Sequence, residues 1–310
     1  MAVAGRTPAV ARTRAELAEA LGPRRSQGSL ALVPTMGALH EGHASLVRVA
    51  RGRAGDDGAV VVSIFVNPLQ FGPGEDLDRY PRTFDADLEV CAREGVDVVF
   101  APTVAEMYPG GVPTGEDSPA VTLDPGPLAG VLEGRTRPGH FRGVLTVVAK
   151  LFGLVRPDLA VFGEKDYQQL VLIRRMAEDL CLSGSVGPLE VVGAPTDREP
   201  DGLARSSRNR YLDEEQRLQA TVLHRVLVAA RRDAVYGLER ALGAGRAELR
   251  AAQGVDLDYF EVRAPDLGEL TDDAPPGTPA RALIAARVGS TRLIDNTALT
   301  LGVPPTEGSS

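Results

Sequence analysis

Apolar and polar positions along the chain fall into blocks that switch between two periods. Leu30–Pro34 is a continuous apolar run of strand length, and Ala44–Arg51 behind it carries apolar residues at helical spacing. Ala59–Val66 is rich in Val and reads as a strand buried on both faces. Phe84–Glu94 predicts a helix, Val96–Phe100 a third strand, Gly143–Val155 a helix and Asp158–Phe162 a strand. Tyr167–Leu180 predicts a helix with Leu170, Ile173, Met176 and Leu180 near one face, and Leu189–Val192 a fifth strand. Tyr108–Pro119 and Gly126–Arg142, rich in Pro and Gly, predict loops. Strand and helix in alternation predict an α/β domain, a parallel sheet covered on both faces, over residues 1–195.

The texture changes after Thr196. Asp213-Glu214-Glu215-Gln216 has the spacing of a capping-box variant, and the helix behind it places Leu218, Val222, Val226 and Ala230 along a face. A second helix is predicted over Leu238–Ala252. Short alternating runs follow at Asp258–Val262, Arg281–Val288 and Arg292–Ile294. Residues 196–310 thus predict a small α+β domain, with Pro304–Ser310 as a disordered tail.

The bulk properties narrow the class. A chain of 310 residues suits a large domain plus a smaller one and can bury a sizeable core. A net charge of -8 argues against a nucleic-acid partner, which needs a basic face. Two cysteines, Cys91 and Cys181, make no disulfide framework and point to a reducing compartment. No apolar run is long enough to span a bilayer, and Met1–Arg6 lacks the apolar core of a signal peptide. The expectation is a cytoplasmic enzyme with small-molecule substrates.

The candidate chemistry starts where the first strand meets the first helix, at Met36-Gly37-Ala38-Leu39-His40-Glu41-Gly42-His43. In an open parallel sheet, ligands bind at the carboxyl ends of strands. The first helical turn offers unpaired N–H groups and a positive dipole end, which suit phosphate. His40 and His43 share one face of that turn. Four further clusters stand beside this one. Asn67 and Gln70 are amides at the end of the second strand, suited to a hydroxyl or carboxylate or to capping a turn. Lys165 suits phosphate charge, Asp166 suits ribose hydroxyls or a helix cap, and Gln169 points back over the site. Arg205-Ser206-Ser207-Arg208 is a dense donor cluster for phosphate oxygens, or a basic loop at a domain junction. Asp87 suits a magnesium ion touching triphosphate, or an acidic first helical turn. His140 touches or shapes the site, and His224 reads as structural.

In series, Val33–His43, Ser63–Gly72, Tyr80–Thr83, Gly163–Gln169 and Ser206–Leu212 resemble the pantothenate synthetase (pantoate–β-alanine ligase) family over nearly the whole chain. A lone His-x-x-His is weak, whereas five blocks in order are specific. The family belongs to the nucleotidyltransferase-like Rossmann class. The resemblance therefore implies a Rossmann-like parallel-sheet domain with a smaller α+β lid domain, acting as a homodimer. It implies that ATP, with Mg2+, condenses (R)-pantoate with β-alanine through pantoyl adenylate, giving pantothenate for coenzyme A, AMP and pyrophosphate.

The implied catalytic set is His43 as general acid, His40, Lys165, Ser206, Ser207 and Arg208. ATP would be held by Met36, Gly37, Ala38, Leu39, His40, Glu41, Gly42, His43, Gly163, Glu164, Lys165, Asp166, Asp197, Arg205, Ser206, Ser207 and Arg208. Pantoate would be held by Gln70, Gln169, Met36, Phe65 and Asn67, and Mg2+ by Asp87. The chain departs from the family pattern at Arg205, where a methionine is expected, and at Asp197, where a small apolar residue is expected. Leu182–Pro188 is longer than usual and reads as a surface loop. Two competing readings stand: transfer of AMP to another small acceptor, and a non-catalytic adenylate-binding module.

Overall fold

The computed structural model describes residues 7–113, 120–184 and 187–302. The tail Pro304–Ser310 lies outside the described residues, as do the end of the Tyr108–Pro119 stretch and residues 185–186 of the Leu182–Pro188 stretch. The chain divides into two units, Met1–Gly163 with Gln169–Pro195, and Glu164–Gln168 with Thr196–Ser310. Glu164–Gln168, expected with the first domain, groups with the second. The reason is local: Asn296 Nδ2 donates to Glu164 O at 2.9 Å and to Lys165 O at 2.8 Å.

The first unit runs β1 (Ala9–Ala11), α1 (Arg14–Leu21), β2 (Leu30–Thr35), α2 (Glu41–Ala54), β3 (Ala59–Ile64), α3 (Phe84–Arg93) and β4 (Val98–Phe100). It continues through α4 (Val104–Met107), α5 (Glu133–Thr136), α6 (His140–Val155), β5 (Leu159–Gly163), α7 (Tyr167–Asp179), whose first two residues group with the second unit, and β6 (Glu190–Ala194). The six strands form one parallel sheet in the order β1-β4-β3-β2-β5-β6. This is the Rossmann-like arrangement expected. From β2 the chain steps outward one way through β3 and β4, and later the other way through β5 and β6. The reversal lies between β2 and β5, where open α/β sheets bind ligands. The central strands are apolar throughout because both faces are covered: Ala31, Leu32, Val33, Val60, Val61 and Val62 are fully buried.

β1 and α1 escape the hydrophobic reading. Only Ala11 of β1 is buried, and α1 buries just Leu17 and Leu21. Its start was nonetheless written in Thr13-x-x-Glu16, which forms a full capping box. The Gly126–Arg142 stretch is less of a loop than its composition predicts. It holds a 3-10 turn, Pro127–Gly130, and α5, and α6 already starts at His140, behind Gly139 at φ +81°.

The second unit carries α8 (Glu214–Ala220), α9 (Val222–Asp233), α10 (Leu238–Ala251) and an antiparallel sheet β7-β8-β9 (Val255–Arg263, Thr278–Val288, Thr291–Leu301). The Asp213–Gln216 capping box forms as expected. The helix behind it does not run on as one, however. It breaks at Thr221, whose N–H and Oγ1 both donate to Leu218 O. Leu218, expected on the buried face, is 72% exposed as a result, while Val222, Val226 and Ala230 enter the core. Among the described residues, no helix is long and apolar enough to cross a membrane.

Candidate active site

β2 ends at Thr35, whose hydroxyl donates to Ser63 O at 2.7 Å and accepts the Gly37 N–H at 3.2 Å. Gly37 and Ala38 then take consecutive left-handed conformations, φ +81° and +52°. A Cβ at Gly37 would stand 2.9 Å from Asp87 Oδ2 and 3.0 Å from Ile64 Cγ2, so the turn requires glycine. Asp87, 2% exposed, closes the turn. Its carboxylate accepts the N–H of Ala38 at 3.0 Å, the N–H of Leu39 at 2.8 Å and the Thr83 hydroxyl at 3.1 Å. That is a different use from the magnesium ligand expected of it. A cation there would meet three donors aimed at the same oxygens, so Asp87 does not fit as a metal site. Among the described residues no group of three His, Cys, Asp or Glu is placed to hold a metal ion.

The turn delivers His40 to the N-cap of α2. The His40 N–H donates to His43 Nδ1 at 3.3 Å, and the two ring centroids are 4.2 Å apart. Because His43 Nδ1 accepts, the ring proton of neutral His43 sits on Nε2. Nε2–H is then a donor beside the N–H groups and positive end of a 14-residue helix. Glu41, on the same turn, pairs with Arg48 at 2.7 Å.

The acceptor-side residues gather behind β3. Gln70 Nε2 approaches Met36 Sδ at 3.1 Å, so those two expected pantoate residues are brought together. Phe65 is buried, with its ring centroid 6.3 Å from that of Tyr108. Asn67 is not available to a substrate. It is 1% exposed, its Nδ2 donates to Gly143 O and Gln70 Oε1, and its Oδ1 accepts from Tyr108 and Leu69 N. It positions Gln70 instead. Gln169 is half-buried near the start of α7.

His140 also acts on Gln70. Arg137 has only donors, so its Nη1 donates to His140 Nε2 at 3.0 Å and leaves the ring proton on Nδ1. His140 Nδ1–H then donates to Gln70 O at 2.9 Å. Burial, and then the Arg137 charge, push His140 down to about 4, so it is neutral near pH 7. Glu75 receives Arg137 in a two-point pair at 2.8 and 2.7 Å. Burial raises the Glu75 carboxyl, but the Arg137 contact outweighs it and holds the group below its ordinary value.

The second unit holds the other expected phosphate ligands. Lys165 Nζ lies 3.9 Å from Asp166 Oδ2 and is mostly buried. Glu164 is engaged by Arg281 Nη2 at 2.8 Å. Ser206 caps the turn Ser207–Tyr211, accepting from Arg208 N. Asp197 and Arg205 form an ion pair at 2.6 Å. The expected site residues thus divide between the two units, with Met36–His43, Phe65, Gln70, Gly163 and Gln169 in the first, and Glu164–Asp166, Asp197 and Arg205–Arg208 in the second. Sequence reasoning missed the supports: Thr83, Tyr108, Arg198, Asp295 and Asn296. Asp295 and Asn296 are both buried although neighbours on a strand point to opposite faces, and no pattern in the sequence marks that burial.

Residues 9–298 match the family model for pantoate-beta-alanine ligase. A pantothenate synthetase of Nocardioides sp. is 66% identical over 299 residues, covering 95% of this chain and 86% of that protein. The crystal structure of pantothenate synthetase from Thermus thermophilus matches with a TM-score of 0.83 and 47% identity, over 96% of this chain and 100% of that one. Pantoate-beta-alanine ligase from Francisella tularensis, solved with beta-gamma ATP and beta-alanine, matches with a TM-score of 0.73 and 33% identity, over 94% and 97%.

Proposed function

The chain belongs to the pantoate–β-alanine ligase family, so it condenses pantoate with β-alanine using ATP, and from that premise we propose how its residues divide the work. The reaction runs in two steps. A pantoate carboxylate oxygen attacks the α-phosphorus of ATP, the bond to pyrophosphate breaks, and pantoyl adenylate forms. The β-alanine amine then attacks the acyl carbon, AMP leaves, and the amine proton is lost as the amide forms.

Phosphoryl chemistry of this kind asks for positioning and charge stabilisation more than covalent help. The observation that carries the reading is the His40–His43 turn. Asp87 fixes its backbone, and the His40 N–H donates to His43 Nδ1, which leaves Nε2 as the ring nitrogen that can donate. His43 then supports charge on the leaving pyrophosphate as a hydrogen-bond donor through Nε2. Lys165, Ser206, Ser207 and Arg208 are assigned to the phosphates, and so is His40. Gln70, Gln169, Met36 and Phe65 bind pantoate without adding charge. Gly163, Asp166 and the backbone near Asp197 hold the nucleoside. Magnesium arrives on the ATP phosphates, as part of the substrate, and not on Asp87.

The test is pyrophosphate release. ATP with pantoate should give one equivalent of pyrophosphate per site, and β-alanine should convert this burst into turnover. Turnover with nicotinate mononucleotide in place of pantoate, or binding of ATP with no pyrophosphate from any pair, would sink the reading. The same reading makes the protein a cytoplasmic homodimer, which light scattering of the purified chain checks for its assembly.

A further inference from the structure

Two adjacent side chains on β9 hold both of the second unit's segments assigned to phosphate. Asn296, 3% exposed, donates from Nδ2 to Glu164 O and Lys165 O, and its Oδ1 accepts from Arg281 Nε at 2.8 Å. Arg281 in turn pairs with Glu164 and lies 4.0 Å over the Tyr167 ring. The Lys165 backbone is thereby fastened to the strand on both sides of the lysine. Asp295, also 3% exposed, receives Arg198 at two points, 2.7 and 3.0 Å. Arg198 begins a tight turn that it closes through Gly202 O, and it bridges to Ala204. Ala204 O accepts from Asn209 Nδ2 at 3.1 Å, across the turn that carries Ser206, Ser207 and Arg208.

Both groups are costly to bury. A buried amide or carboxylate is tolerated only when its polar atoms are matched. Packing alone would be served as well by apolar residues, as at the buried Ala282 and Ile284 of β8. The matched partners are not scattered. They are the backbone at Lys165 and the arginine that bridges to Ala204, whose carbonyl accepts from Asn209 in the Ser206-capped turn.

We propose that Asp295 and Asn296 are positioning residues for adenylate formation, setting Lys165 and the Ser206–Arg208 turn in one common frame. This rests on the reading that those two segments contact the ATP phosphates. Neither side chain needs to touch substrate. A misplacement on the order of 1 Å in a phosphate ligand can cost up to roughly a hundredfold in rate.

The experiment is single-turnover pyrophosphate release from ATP and pantoate, on the full chain, expressed per folded enzyme. Asn296→Ala removes the two donors. Asn296→Asp keeps the volume and the Arg281 bond, so it folds, but it sets a carboxylate against the carbonyls of Glu164 and Lys165. Both should slow the step by roughly tenfold or more. In a Lys165→Ala background the further loss should be under about twofold, because Asn296 acts through Lys165. Asp295→Asn, which drops the charge facing Arg198, should raise KM for ATP severalfold and leave KM for pantoate unchanged. A slowed Lys165→Ala beside full-rate Asn296 variants overturns the positioning role alone. So does an Asn296 loss that multiplies in full with Lys165→Ala. Equal KM shifts for ATP and pantoate in Asp295→Asn overturn the Asp295 half. An unchanged rate in Lys165→Ala removes the phosphate role of Lys165, and this proposal with it.

Discussion

Arg205 Nε lies 2.6 Å from Asp197 Oδ2, and the Arg205 N–H donates to Asp197 O at 3.0 Å. These are the two positions at which the chain departs from the expected family pattern. Each alone would change the charge near the nucleotide, whereas together they cancel. Asp197→Ala should therefore lower KM for ATP by freeing a cation, and Arg205→Ala should raise it by baring a carboxylate. The double variant should return close to the parent. Both side chains are about 30% exposed, so the coupling should be about 1 kcal/mol or less. Initial rates with ATP varied check it, and single variants that both leave KM for ATP unchanged would show that the pair is incidental.

Asp87→Ala should act on the fold of the turn. It leaves the Ala38 and Leu39 N–H groups without their acceptor, and a buried unmatched donor costs about 1–3 kcal/mol. We expect roughly 2–4 kcal/mol less stability in urea unfolding, a lower kcat, and an unchanged dependence on magnesium. A weakened magnesium requirement with parental stability would restore the metal-ligand role.

The parallel sheet was legible because its central strands are apolar without alternation, as at Val60–Val62, and its helices bury residues at helical spacing, as at Leu170, Ile173 and Met176, although Leu180 of that face is 50% exposed. The His40–His43 turn was legible because its chemistry lies in one short segment. What sequence reasoning missed lies in pairings between distant positions. Asp87 serves Leu39 from 48 residues away, and Asp295 serves Arg198 from 97. An acidic residue in a first helical turn reads alike whether it binds a cation or a backbone. Leu218 was misplaced because a period cannot show that Thr221 folds back on the previous turn.

Gln70→Ala should mainly raise KM for pantoate. Its Nε2 stands at Met36 Sδ, and two neighbours, Asn67 and His140, hold its side chain and backbone. Losing one neutral hydrogen bond to substrate predicts about 1 kcal/mol, or roughly fivefold. Steady-state rates with pantoate and ATP varied in turn separate the effects. A selective change in KM for ATP would show the pocket to be misassigned.

His43→Ala should slow adenylate formation more than it weakens ATP binding, because its donor gains most as charge develops on the leaving group. Removing one such donor typically costs on the order of a hundredfold in kcat. Single-turnover pyrophosphate release, set beside equilibrium ATP binding, gives the split. Equal losses in both would make His43 a ground-state ligand only.

His140 should make the protein less stable in mild acid. The unfolded chain takes up a proton near the ordinary histidine value of 6.5, whereas the folded ring stays neutral until about 4. Between those values the unfolded state binds a proton that the folded state refuses. Stability therefore falls as the pH drops from 6.5 towards 4, and above 6.5 the group contributes nothing. A fully buried ring would cost about 2 kcal/mol between pH 7 and pH 5. His140 is only part-buried, so about 1–2 kcal/mol is expected. Glu75 is held low by Arg137, so its own loss comes as the pH falls below its ordinary 4.5, beneath the interval from pH 7 to pH 5. His140→Asn replaces the Nδ1 donor to Gln70 O with an amide that does not titrate. Urea unfolding at pH 7 and pH 5 should then show a smaller acid loss in the variant than in the parent. An identical loss in both would mean that the Arg137–His140 contact does not hold the ring neutral.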